Sequence, residues 1–62
     1  IDRALVRMRD LDLPLYELLE MVSFAGLSIA EAADLRGVST RTINRDLLKA
    51  RALLQALLGE TG

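Results

Sequence analysis

Sixty-two residues make at most one domain, and a domain of about 60 residues buries only about 60% of the surface its unfolded chain exposes. The chain has neither Cys nor His, which excludes a disulfide staple and a Cys/His zinc site, and no apolar run reaches the ~20 residues of a membrane span. The net charge of −1 would ordinarily argue against a nucleic-acid partner, but the charges are sorted along the chain. Residues 1–11 sum to +1, residues 12–35 carry five acids and no base, and residues 36–51 set Arg36, Arg41, Arg45, Lys49 and Arg51 against Asp46 alone. A basic segment beside an acidic middle makes a dipolar molecule whose basic part can face phosphate.

In chain order every segment reads as helix, and no alternating β-branched run suggests a strand. Apolar residues are 52% of the chain with only Tyr16 and Phe24 aromatic, so the core is expected from Leu, Ile, Val, Met and Ala. The first helix covers about residues 2–10, with Ala4, Leu5 and Met8 on one face. Asp12-Leu13-Pro14 breaks it, and Pro14 suits the first turn of the next helix, where its missing N–H does no harm. That second helix is expected to reach about Ala25, with Leu15, Leu18, Leu19 and Val22 as its buried stripe and Gly26 as its stop.

The third helix carries the clearest signals. Ser28 followed by Glu31 is a capping box, and Gly37 accepts the left-handed conformation that closes a helix. Ser39 caps the fourth helix, with Val38 and Ile43 placed as a hydrophobic staple. With only Gly37 and Val38 between one helix and the next cap, the connection forces a sharp crossing, as in a helix-turn-helix.

Placed at ~100° steps, Ile43, Leu47, Ala50, Leu54 and Leu57 form the core stripe of the fourth helix, which runs on through Leu58. Arg41, Arg45 and Lys49 fall near the opposite side, with Asn44 and Leu48 beside them and Thr42 on the other flank. This strip opposes stability. Like charges four residues apart cost a helix about 0.2–0.5 kcal/mol per pair, and Arg41 lies in the first turn, where the dipole favours an anion. Duplex DNA compensates both: phosphates accept from Arg and Lys, and Arg or Asn can read base edges bidentately in the major groove.

From Ile1 to Glu60 the chain resembles domain 4, the C-terminal helix-turn-helix domain of extracytoplasmic-function sigma factors of the sigma-70 family. The residues that carry the resemblance are Leu11-Asp12, the stretch Leu18-Leu19-Glu20-Met21-Val22-Ser23-Phe24, Gly26-Leu27-Ser28, Glu31-Ala32-Ala33 and Gly37-Val38-Ser39. Arg41-Thr42-Ile43-Asn44-Arg45-Asp46 and Ala50-Arg51-Ala52-Leu53-Leu54 resemble one branch of that family especially. The resemblance implies a small all-α, four-helix domain with a C-terminal helix-turn-helix and a long recognition helix. It further implies binding of the promoter minus-35 element within RNA polymerase holoenzyme, contact with the polymerase flap and, in many members, capture by an anti-sigma protein. Position by position, the DNA-facing places fall on Thr42, Asn44, Arg45, Leu48 and Lys49. Arg41 joins them from the helical face, and Ser39 and Thr40 stand close enough to contact the DNA backbone through the helix N-terminus.

Three residue patterns depart from the family. Arg36 stands where an apolar residue usually precedes the Gly, with Leu35 carrying the apolar character one place early; either the third helix packs differently or Arg36 lays its stem along the core. Asp46 replaces a base found in many members, and residues 12–35 lack the bases that many members place on phosphate-contacting helices. Both predict weak DNA affinity for the isolated domain.

Residues 1–62 are expected to form this one domain, and the opening on Ile1 instead of Met reads as a piece cut from a longer cytoplasmic protein. A winged-helix repressor is the alternative suggested by Ser39 to Leu47, but the chain continues as helix where a wing would begin. A second alternative is a protein-interaction or self-associating module, supported by Leu48, Leu53 and Leu58 off the core stripe and by Leu13, Leu15 and Met21 on an acidic helix. No enzyme is implied: Ser23, Ser28 and Ser39 are explained by helix ends, and the acids form no metal-binding run, so neither cofactor nor metal is called for.

Overall fold

The computed structural model describes the backbone of residues 2–61 and the side chains of residues 3–59; the Asp2 and Glu60 charges counted above lie outside the described side chains. Four helices follow one another: α1 (Asp2–Leu11), α2 (Leu13–Ser23), α3 (Ile29–Arg36) and α4 (Thr40–Thr61). Among the described residues there is no strand. At a rise of about 1.5 Å per residue the 22 residues of α4 span about the 34 Å long axis of the molecule.

Local chemistry sets the ends. α1 and α2 are separated by Asp12 alone, whose N–H still donates to the Met8 carbonyl at 2.8 Å. Asp12 then leaves the helical conformation and caps α2, its Oδ1 accepting from the Leu15 N–H at 3.3 Å, with Pro14 in the first turn. α2 ends at Ser23, two residues before the expected Ala25. The Glu20 carbonyl accepts from both Phe24 and Ala25, at 2.9 Å each, so the i→i−4 ladder stalls before Gly26 turns the chain at φ +77°.

The box on α3 closes both ways: the Glu31 N–H donates to Ser28 Oγ and the Ser28 N–H donates to Glu31 Oε1, each at 3.0 Å. Gly37, at φ +69°, ends the helix, and the Val38 N–H donates back to the Ala33 carbonyl at 3.0 Å, a Schellman arrangement. The two bonds between Ser28 and Glu31, the one from the Ser28 backbone first, hold the pKa of the Glu31 carboxyl below its ordinary value. A depressed folded-state pKa contributes stability that is present above the unfolded value and lost as pH falls through the folded one. Glu31→Gln is therefore expected to lower the melting temperature at neutral pH and to make little difference well below the ordinary Glu pKa, compared by thermal unfolding at both pH values.

Two apolar clusters share α4 as their spine. Leu18 of α2, Ala32 and Ala33 of α3, and Ile43 and Leu47 of α4 form one, flanked by Met21, Val22 and Ile29. Ala4 and Met8 of α1, Leu19 of α2, and Ala50 and Leu57 of α4 form the other, flanked by Leu5, Leu15, Tyr16, Leu53, Leu54 and Leu58. Leu15, Val22 and Leu54, expected in the buried stripes, are only half-buried. Leu53 and Leu58, expected off the stripe, pack against the second cluster because α1 covers that flank of α4.

Arg36 is half-buried, and its Nη2 donates to the Pro14 carbonyl at 3.0 Å. The end of α3 is thereby tied to the start of α2, while Leu35 remains 72% exposed and does not take over the apolar role. The guanidinium occupies one of the carbonyls of α2's first turn, so this cation serves the fold. A hydrogen bond contributes about 0.5–1.5 kcal/mol net, and at this surface position Arg36→Ala should lose the lower end of that range in a urea unfolding titration.

Candidate nucleic-acid interface

The first three turns of α4 and the Ser39 that precedes them hold every residue expected at a DNA face. Ser39 stands before the helix, and its Oγ accepts the Thr42 N–H at 3.2 Å while lying 3.1 Å from Thr42 Oγ1. Thr42 is consequently half-buried, and its hydroxyl is engaged in the cap. Ser39, Thr40, Arg41, Asn44, Arg45, Leu48 and Lys49 are all exposed. Ile43, Leu47 and Ala50, interleaved with them, are buried. The basic strip and the core stripe therefore occupy opposite sides of one helix. The staple at its start is partial: Ile43 is buried but Val38 keeps 41% of its surface exposed.

Arg45 is not a free-swinging cation. Its Nε donates to Asp46 Oδ1 at 3.3 Å, with the Arg45 side chain 63% exposed and the Asp46 side chain 24% exposed. The carboxylate is tucked against the protein and the guanidinium reaches outward. Leu48 is 67% exposed beside it, an unfavourable place for a leucine in water and a serviceable one against a thymine methyl. Arg51 is also exposed and stands two turns beyond Asn44, nearly in line with it. Sequence reasoning counted its charge without placing it on this face, although the spacing of seven was there to be read. Arg36, by contrast, is turned away from the strip by its bond to Pro14.

Ionisable chemistry is confined to the surface, and the interior of the described residues holds no polar or charged side chain. Among those residues, no group of His, Cys, Asp or Glu is placed to hold a metal ion, and no helix is long and apolar enough to cross a membrane.

A capped short helix, a two-residue turn and a long helix with one basic side and one apolar side define a helix-turn-helix domain. The family model for ECF sigma factors matches residues 1–60, and the chain belongs to that family. This places it among proteins that act in transcription initiation, and it agrees with the domain 4 resemblance carried by the same residues. No curated protein and no solved structure matches the chain.

Proposed function

We propose that this chain is the promoter-reading domain of an ECF sigma factor, binding duplex DNA at the minus-35 element through the outer face of α4 while RNA polymerase holds it in place. The observation that carries the reading is the exposure of Arg41, Arg45 and Lys49 on successive turns of α4, opposite the buried Ile43, Leu47 and Ala50. Nothing in helix stability favours that strip. In this reading Arg45 and Asn44 address base edges, Leu48 lies against them, and Arg41 and Lys49 bind phosphate. Ser39 and Thr40 meet the DNA backbone at the start of α4, and Thr42 braces them through the cap. Phosphate contacts fix the register of the helix, and base contacts carry the sequence information.

The acidic residues 12–35 face the duplex field unfavourably, so affinity of the chain alone is expected to be weak and salt-dependent. The polymerase flap then supplies the missing hold, and an anti-sigma protein is the natural competitor for it. The chain functions in this account as one part of a longer protein.

The test is a titration of isotope-labelled protein with duplex DNA, followed by backbone amide shifts at low and moderate salt. Shifts concentrated from Ser39 to Lys49 and weakened by salt support the reading. Shifts confined to residues 13–25, or none, overturn it in favour of a protein-interaction module, which a concentration-dependent mass would then examine for self-association.

A further inference from the structure

We propose that Asp46 is a positioning residue for base recognition: its carboxylate holds Arg45 by Nε and so decides how, and against which part of the duplex, that guanidinium is used. The inference rests on the DNA-reading face proposed above and adds to it a source of specificity.

Asp46 stands apart from its surroundings. It is the single acid between residues 36 and 59, on the helix whose outer face is basic, and a carboxylate near a phosphate backbone is repelled. Lys49 stands three residues on, at a spacing by which an acid can support a helix. The ion pair Asp46 makes is with the adjacent Arg45, at 3.3 Å through Nε. The two side chains are unequal: Asp46 is largely covered and Arg45 is largely exposed, so the carboxylate is the fixed member and the guanidinium the presented one.

An arginine fork can approach the O6 and N7 acceptors of guanine with its two Nη groups, or side-on with Nε and one Nη. With Nε engaged, the end-on Nη pair is what remains to offer. An untethered arginine also has the phosphates on either side within reach, where it contributes affinity without sequence information. The Asp46 charge disfavours those backbone contacts while leaving the neutral base edge open. Discrimination here comes from penalising the wrong contact as well as forming the right one. The prediction has opposite signs for two observables: neutralising Asp46 should strengthen binding to arbitrary DNA and weaken base preference.

The experiment incubates the 62-residue chain with a duplex library of about ten randomised base pairs, the length of one helical turn, and sequences the bound fraction. Wild type, Arg45→Ala, Asp46→Asn, Asp46→Glu and the double variant Arg45→Ala/Asp46→Asn are compared after circular dichroism establishes equal helicity. Wild type should select a motif with a guanine position that Arg45→Ala flattens. Asp46→Asn should weaken that same position about two- to fivefold, the scale of an exposed ion pair, while binding unselected DNA more tightly. Asp46→Glu should restore the preference, and the double variant should match Arg45→Ala in base preference, since Asp46 shapes that preference through Arg45. Asp46→Asn selecting the guanine as strongly as wild type overturns the proposal and leaves the DNA-reading face intact. A wild type that selects no motif even at low salt, where its affinity is greatest, removes the DNA-reading face itself, and this role with it.

Discussion

Ile43→Ala should cost the domain about 2–5 kcal/mol, the range for truncating a fully buried isoleucine, and leave a chain close to unfolding at room temperature. Stabilities of about 0.05–0.15 kcal/mol per residue would give a chain of 62 residues about 3–9 kcal/mol in total, so this one substitution removes a large part of it. Ile43 has no exposed surface and sits where α2, α3 and α4 meet, among Leu18, Ala32, Ala33 and Leu47. Two of those four neighbours are alanines, which have no rotamers with which to fill a hole, so the cavity persists and the loss should fall toward the upper end of the range. Ile43→Val removes one methyl(ene) group and should cost about 0.5–1.5 kcal/mol. Leu54→Ala, at a half-buried position, should fall well short of Ile43→Ala. Urea unfolding followed by helical ellipticity measures all three. A loss below about 1 kcal/mol for Ile43→Ala would mean that the three helices do not close on this residue.

The same residue shows what was legible in the chain beforehand. Ile43 could be placed in the core from spacing alone, because a helix repeats every 3.6 residues and its apolar side must face inward. The capping box of Ser28 and Glu31 and the stop at Gly37 could also be read, since each joins residues a few places apart. The end of α2 was less accessible. Gly26 marks where the chain turns, but the helix stops earlier because one carbonyl, that of Glu20, draws in two successive N–H groups.

Leu53 and Leu58 look exposed on a wheel drawn for α4 by itself. They are covered because α1, from the other end of the chain, widens the buried side. The bond from Arg36 to Pro14 crosses 22 positions and has no local signature. Of the candidate site, the exposed face of α4 was readable from periodicity and charge. The engagement of Arg45 by Asp46 was not, because it depends on which rotamer an adjacent pair adopts and not on helical spacing.

Arg45→Ala should lower affinity for the preferred DNA site by about 1–3 kcal/mol and relax the preference at one position, while Lys49→Ala should weaken all sequences alike and reduce the salt slope by about 1. The contrast follows from the side chains. Arginine presents a planar fork that matches paired acceptors, whereas lysine is a compact, hydrated point charge suited to a phosphate. Both are exposed on α4, so neither substitution should disturb the core, and a change in binding reports on contact. The discriminating quantity is the ratio of affinities for the preferred and a scrambled duplex, measured by fluorescence anisotropy over a series of salt concentrations. For Arg45→Ala that ratio should fall about five- to 150-fold, the equivalent of the same 1–3 kcal/mol. For Lys49→Ala it should stay near the wild-type value while both affinities drop together. If Arg45→Ala leaves the ratio untouched, the outer face of α4 grips DNA without reading it. Specificity would then have to come from whatever else holds the domain on the promoter.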